Sequence, residues 1–395
     1  MSSENNPKMG VILTSLIMAG MTAMMSTHLY TPSMPHLVDV FHTTPAVVKL
    51  SLSFNALAFG LSQLVHGPLS DRFGRRPIML GGMALFILFS VFCASAQSIN
   101  QLIAARAFQG MSASVEAVLV LAIIHDLFDM TDRVRALAIY GMALALAPAT
   151  AAIIGGYVHT WLGWRSNFVL LAIIGLLALV LIRRLLPEST IPDKNGLRPK
   201  QIIKGYGRLL TNQMFLCYAI ISGAGSGMIM AFITAGPFVL ISYLNVAVHH
   251  YGLYLLMPVL SYIGGSLLTK QVSGKVSVEA LLRFGLMITV IGAILLSVLI
   301  FGGFQGAIRL TLAMAVTTFG LGPVFAVAPM RALAATDGSI GVASALVSMI
   351  PPIMGGLSAT SLSVLHDGTS RPMAITVLGL LVVIGAAYSI ILRRD

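Results

Sequence analysis

Apolar residues fall in twelve runs along the chain, each near the length that carries a helix across about 30 Å of hydrocarbon. The runs predict helices at about 10–31, 47–66, 77–97, 102–124, 136–159 and 167–186, then at about 213–241, 251–271, 280–302, 306–328, 340–365 and 372–392. The longest polar interruption, 187–212 (PESTIPDKNGLRPKQIIKGYGRLLTN), carries Pro, Gly and charge and separates six runs from six. The pattern predicts an all-α membrane protein: an N-terminal six-helix bundle over 1–186, a linker over 187–212, and a C-terminal six-helix bundle over 213–395.

Composition agrees with that reading. Of 395 residues, 57% are apolar and only 9% charged, too few charges to cover a soluble surface of this size. The N-terminal MSSENNPK is short and polar, and no small-residue cleavage site follows the first run, so the first run is expected to remain as a membrane helix. Cys93 and Cys217 lie in separate apolar runs without metal-ligand spacing and read as packed core thiols.

Charge sets the orientation. With both termini in the cytoplasm, 19 of the 24 Lys and Arg residues fall on the cytoplasmic side; Lys49, Arg165, Arg309 and Arg371 fall outside, and Arg106 inside a helix. The net charge of +11 is thereby a topology signal and calls for no nucleic-acid partner.

Two internal echoes relate the halves. GPLSDRFGRR, residues 67–76, is echoed by GSLLTKQVSGK, residues 265–275, with Thr269 in place of Asp71 and Lys270 in place of Arg72. Pro148, Gly155 and Gly156 of the fifth run are echoed by Pro351, Pro352, Gly355 and Gly356 of the eleventh. Six-helix repeats of this kind place a substrate site between the halves of many transporters.

The charged hairpin resembles the GxLxDRxGRR signature between helices 2 and 3 of the major facilitator superfamily, through Gly67, Leu69, Asp71, Arg72, Gly74, Arg75 and Arg76. YTPSMP (30–35), RAFQG (106–110), LALAPATAAIIGGYVHTWLGWR (144–165) and FITAGPFVLISYLNV (232–246) resemble more narrowly the twelve-helix drug:proton antiporters of the bicyclomycin and chloramphenicol exporter group. The resemblance implies a multi-pass inner-membrane secondary transporter, most simply a monomeric proton-coupled exporter of drugs or small metabolites working by alternating access. A facilitator or importer of a small organic anion or siderophore-like metabolite on the same fold is the alternative. The partners implied are a small-molecule substrate, protons and the lipid bilayer. No cofactor and no metal are implied, and the absence of HExxH, CxxC, P-loop and GxSxG motifs argues against an enzyme.

The resemblance assigns roles to residues. Asp71 would meet the start of the eleventh helix, near Ser339 and Gly341, where a helix N-terminus favours an acid, and would hold the cytoplasmic side shut; a hairpin that only fixes topology is the other reading. Arg106 would face the central cavity and take part in proton coupling; an arginine snorkelling to the helix end is the alternative. His28 stands where the group usually carries an aspartate, so either it titrates in that acid's place or coupling has moved. Glu116, ten residues beyond Arg106 and near mid-membrane, is the second proton-carrier candidate, with a neutral packed glutamic acid as its bland reading. His125 and Asp126 read as solvated boundary residues.

APATAAIIGG lets Pro148, Gly155 and Gly156 bend the fifth helix and bring it close to the eighth, while GAGSG at 223–227 reads as helix packing. Met24, Met25, Tyr30, Gln109, Met228, Phe232, Phe319 and Phe325 would line the cavity by resemblance; for the Met and aromatic positions plain core is the competing reading. One fixed cation and polarizable walls would favour neutral or anionic amphipathic solutes.

Overall fold

The computed structural model describes residues 7–190, 199–336 and 340–393. A hydrocarbon solvent cannot hydrogen-bond the backbone, so a chain this apolar satisfies its amides within helices. The described elements are α1 (Pro7–His28), α2 (Met34–Val40), α3 (Pro45–Phe73), α4 (Arg75–Ser95), α5 (Ile99–Leu127), α6 (Met130–Leu162) and α7 (Arg165–Leu185). There follow α8 (Pro199–Leu210), α9 (Gln213–Gly236), α10 (Tyr251–Val272), α11 (Val278–Phe301), α12 (Ala307–Ala334), α13 (Ile340–Val364) and α14 (Arg371–Leu392). Twelve are long and apolar enough to cross a membrane, all but α2 and α8.

Local chemistry explains where the elements differ from the twelve runs. The first run ends at His28, because Pro32 and Pro35 cannot continue the α-helical hydrogen bonding; a 3₁₀ turn over Thr31–Ser33 leads into the short α2. By contrast α3 runs seven residues past the expected end, through Pro68, and stops only where Gly74 adopts φ +99°. That left-handed backbone is what a glycine supplies at a helix end. The ninth element gives way at Pro237 to a π-helical turn over Pro237–Tyr243. The stretch 187–212 holds the amphipathic helix α8, whose Leu209 joins the core beneath it.

Buried apolar side chains form one core of residues from α8 onward, joined by Ala152, and two cores within α1–α7 and the segments flanking them. The two sets of helices meet along α3 with α13 and along α6 with α10. The meeting is lopsided. In α3, Lys49, Leu52, Ser53 and Ala56 are buried, whereas Leu61 and Val65, toward the charged hairpin, are more than half exposed. In α6, Ala151 and Ala152 are buried and Met142 is exposed. Contacts between the two sets of helices run from the face away from the Arg72–Arg76 hairpin, at Lys49 and Ser53, to Gly60 against Ile353, part-way toward the hairpin's own face. These two faces are called below the far face and the hairpin face.

Candidate functional site

Helix α5 carries most of the ionisable chemistry. Arg106 is fully buried, and its Nη1 donates to the Ser26 carbonyl of α1 at 2.8 Å and to Gln109 Oε1 one turn along α5. Gln109 Nε2 in turn donates to Ser90 Oγ of α4 at 2.7 Å. The guanidinium lies 4.5 Å from the Tyr30 ring centroid and 5.9 Å from that of Phe168, within cation–π range. Asn55 of α3 donates to the Arg106 carbonyl at 2.8 Å. This close crossing requires Gly110, since a Cβ there would collide with the Asn55 backbone oxygen. Arg106 thus sits inside the α1–α7 core and faces no open cavity. Nor does it snorkel, because Ser26, Gln109 and two rings hold it in place.

His28 is buried at the end of α1, and its Nδ1 has no hydrogen-bond partner. Its backbone carbonyl accepts from Thr31 Oγ1 at 2.8 Å, which helps turn the chain. Glu116, 0% exposed, lies beside the Ala23 backbone of α1 and close enough to Tyr140 of α6 for its charge to act there. Both of its carboxyl oxygens lack a hydrogen-bond partner. Among the described residues it is the one buried acidic side chain. Its neighbours are thus α1 and α6.

The expected cavity lining is redistributed. Tyr30 donates to or accepts from Ser51 Oγ at 2.8 Å and, with Gln109, belongs to the surroundings of Arg106. Met25, Met228 and Phe232 are buried core, packed among apolar neighbours and facing no cavity. Met24, Phe319 and Phe325 are half-buried; Phe319 backs onto Gly265, and Phe325 lies 5.9 Å from the Tyr262 ring. Five of the eight positions are therefore buried where they stand, because the helices of each half close around them.

The signature hairpin forms a charge network within the α1–α7 half. Arg75 Nη1 pairs with Asp71 at 2.6 Å and donates to Ser70 Oγ at 2.6 Å, and its Nε reaches Asp126 at 3.3 Å. Glu188 accepts from the Arg75 backbone N–H at 2.8 Å, capping the start of α4, and Arg76 donates to the Arg183 carbonyl at 2.6 Å. Asp126 is thus an ion-pair partner and more than a solvated boundary residue. Asp71 is 56% exposed and pairs locally. Its expected neighbour Ser339 lies outside the described residues. Arg72 lies over the ring of Phe73, and Gly67 has open space around it.

Helix α6 approaches both its neighbours on glycine. A Cβ on Gly155 would strike the Leu29 carbonyl of α1, and one on Gly156 would come within 2.8 Å of the Val248 carbonyl just before α10. Pro148 lies inside α6 and does not end it.

Three residues to which the sequence assigned no functional role, Lys49, Ser53 and Ser363, stand at the far face. Lys49 of α3 is 3% exposed and reaches Leu362 O at 3.3 Å and His366 Nδ1 at 3.2 Å, on and just beyond α13. Ser53 bonds to Gly356 O at 2.9 Å and to Thr360 Oγ1, and Ser363 Oγ donates to Ala46 O at 2.7 Å. Lys49 looked like a loop residue because it sits three residues inside the expected helix start, and its burial depends on a helix three hundred residues away.

Comparison with known proteins bears on what this arrangement serves. Residues 16–359 match the family model described as Major Facilitator Superfamily. The chain is 27% identical over 390 residues to a bicyclomycin resistance protein homolog of Haemophilus influenzae, covering 98% of this chain and 97% of that one. It is 26% identical to multidrug resistance protein D of Escherichia coli, covering 97% and 96%, and 26% identical to a chloramphenicol resistance protein of Pseudomonas aeruginosa, covering 97% and 92%. In three dimensions it is similar to an inward-facing bacterial homolog of the human lysosomal transporter Spinster, with a TM-score of 0.75 at 16% identity over 97% of each chain. It is also similar to the xylose transporter XylE from E. coli, with a TM-score of 0.74 at 14% identity over 97% of this chain and 98% of that one.

Proposed function

Because the chain belongs to the major facilitator superfamily, we propose that it is a proton-coupled exporter of small amphipathic molecules, moving them by alternating access between two six-helix bundles, 1–186 and 213–395, joined by 187–212. The hairpin face is cytoplasmic, on the strength of the basic-residue count, and both termini lie on that side. Drug efflux is supported by relatives named for resistance to bicyclomycin, chloramphenicol and multiple drugs. The chain acts as a monomer.

Glu116 carries the proton-coupling reading. An ionised carboxylate without partners is expensive inside a membrane. Charge, proton and water access at Glu116 therefore have to change together, as a proton carrier requires. Arg106, ten residues away on the same helix, supplies a fixed positive charge. The helices around Glu116, α1 and α6, include one that meets the opposite half, so a swing of the halves reaches the carboxyl.

The test uses proteoliposomes with an imposed pH gradient and chloramphenicol or bicyclomycin as probe. Glu116→Gln is expected to abolish accumulation driven by the gradient while leaving downhill counterflow, and His28→Ala to alter probe preference only. If His28→Ala uncouples and Glu116→Gln does not, the carrier is His28. Full gradient-driven accumulation in both variants contradicts the assignment of either.

A second reading is favoured by Arg106 having no acidic partner among the described residues. A fixed, uncompensated cation suits a facilitator of a small organic anion. Wild-type protein that equilibrates its solute but never concentrates it would select this reading.

A further inference from the structure

The far-face seam is held by a contact whose chemistry depends on one proton. Charged, Lys49 Nζ is a donor only, and the 3.2 Å contact to His366 Nδ1 then requires that nitrogen to be an acceptor and the ring to be neutral. A protonated ring donates from both nitrogens. It would lose this bond and set two positive charges side by side in a place where Lys49 is 3% exposed.

No other group replaces the bond. Among the described residues no carboxylate lies within ion-pair distance of Lys49. Asp367 adjoins His366 and accepts at Oδ1 from the Thr369 backbone N–H at 2.8 Å and hydroxyl at 2.7 Å; it lies beyond ion-pair distance of Lys49 and His366 and acts on the pair through its charge. The remaining elements around the pocket contribute Phe238, 5.2 Å from Lys49 Nζ, together with Ala235, Val239, Pro372 and Met373, and one titratable group, Tyr243.

We propose that Lys49 and His366 form a latch on the far-face gate: neutral His366 accepts from Lys49 and keeps α3 against α13, and protonation of the ring releases it. The proposal rests on the alternating access and orientation argued above, under which the far face meets the periplasm, and it is independent of which residue carries the transported proton. Linkage gives its direction. Burial and the Lys49 charge hold the proton affinity of His366 below its ordinary value in the sealed state, with Asp367 opposing. When α3 and α13 part, both depressing effects weaken and the ring binds a proton more tightly. A proton that binds the open state better favours opening by the same factor. The closed seam is thus at full strength above the ordinary histidine range near pH ~6.5 and weakens as pH falls through the depressed value.

Spin labels at Val47 and Val364, on the far-face ends of α3 and α13, with Cys93 and Cys217 replaced by alanine, read the gate directly and need neither substrate nor transport. Acidifying from about pH 8 to about pH 5 is expected to raise the long-distance population about threefold to tenfold, the latter being what one pK unit of differential binding gives. His366→Asn, which keeps an acceptor for Lys49, should hold the short distance at both pH values. Lys49→Met should blunt the acid response. Unchanged distances in the unsubstituted background overturn the latch, and so does an undiminished acid response in His366→Asn or an open gate in it at both pH values. Gradient-driven accumulation of chloramphenicol by the same variants is a separate readout: its loss with an intact latch counts against the exporter reading alone.

Discussion

Arg106 shows how a single residue's environment differs from its position in a pattern. That it is an ionisable group within a span was plain from the sequence, as it was for Glu116, because hydrocarbon makes such residues conspicuous. Its partners were not plain. Ser26 contributes a backbone carbonyl and Ser90 acts through Gln109, and both contacts depend on how α1 and α4 are rotated against α5. Glycine contacts are hidden in the same way: Gly155 and Gly141 both lie in α6, yet only Gly155 touches another backbone. Gly155→Ala is expected to cost about 1–3 kcal/mol through overpacking, seen as a lower melting temperature in detergent, whereas Gly141→Ala, with nothing within 4 Å, should leave it unchanged.

At the scale of elements, the twelve spans were legible because a membrane leaves the backbone one solution, and their lengths follow from its thickness. The elements missed are those a membrane does not dictate: α2 lies between spans, α8 is amphipathic, and the π-helical turn of Pro237–Tyr243 reads as ordinary apolar helix. The internal echo went deeper than its letters. Gly74 and Gly274 both turn their hairpins through positive φ, +99° and +82°. Arg75 at the start of α4 pairs with Asp126 at the end of α5, and in the other half Glu279 at the start of α11 pairs with Arg331 at the end of α12, with the charges exchanged. A double-mutant cycle of Arg75→Gln and Asp126→Asn should show a coupling of about 0.5–2 kcal/mol in unfolding, as contacting residues do. Asp71→Asn, more exposed, should cost less in this state and act instead on cross-linking across the closed hairpin face, where a helix N-terminus is worth about 0.3–2 kcal/mol to an acid.

For the whole molecule, the balance of basic residues speaks to topology but not to conformation, because both access states share one sequence and differ only in which contacts across the halves are made. The far-face contact rests on Lys49 and Ser53 of α3 meeting α13 and its loop and on Ser363 of α13 meeting Ala46 of α3, none of which stands out in a hydropathy pattern. The orientation proposed here predicts that cysteines at Asp39 and Lys204 label from opposite sides of intact cells; labelling of both by one impermeant reagent would reverse it. The central claim is that substrate and proton exchange at one buried carboxyl, and its most direct measurement is proton release on binding. Purified protein in weakly buffered detergent is mixed with whichever of chloramphenicol or bicyclomycin raises its melting temperature, and a pH indicator follows the solution. About one proton released per bound molecule from the wild type, and none from Glu116→Gln that still binds, is the expected result; binding to the wild type without proton release would contradict it.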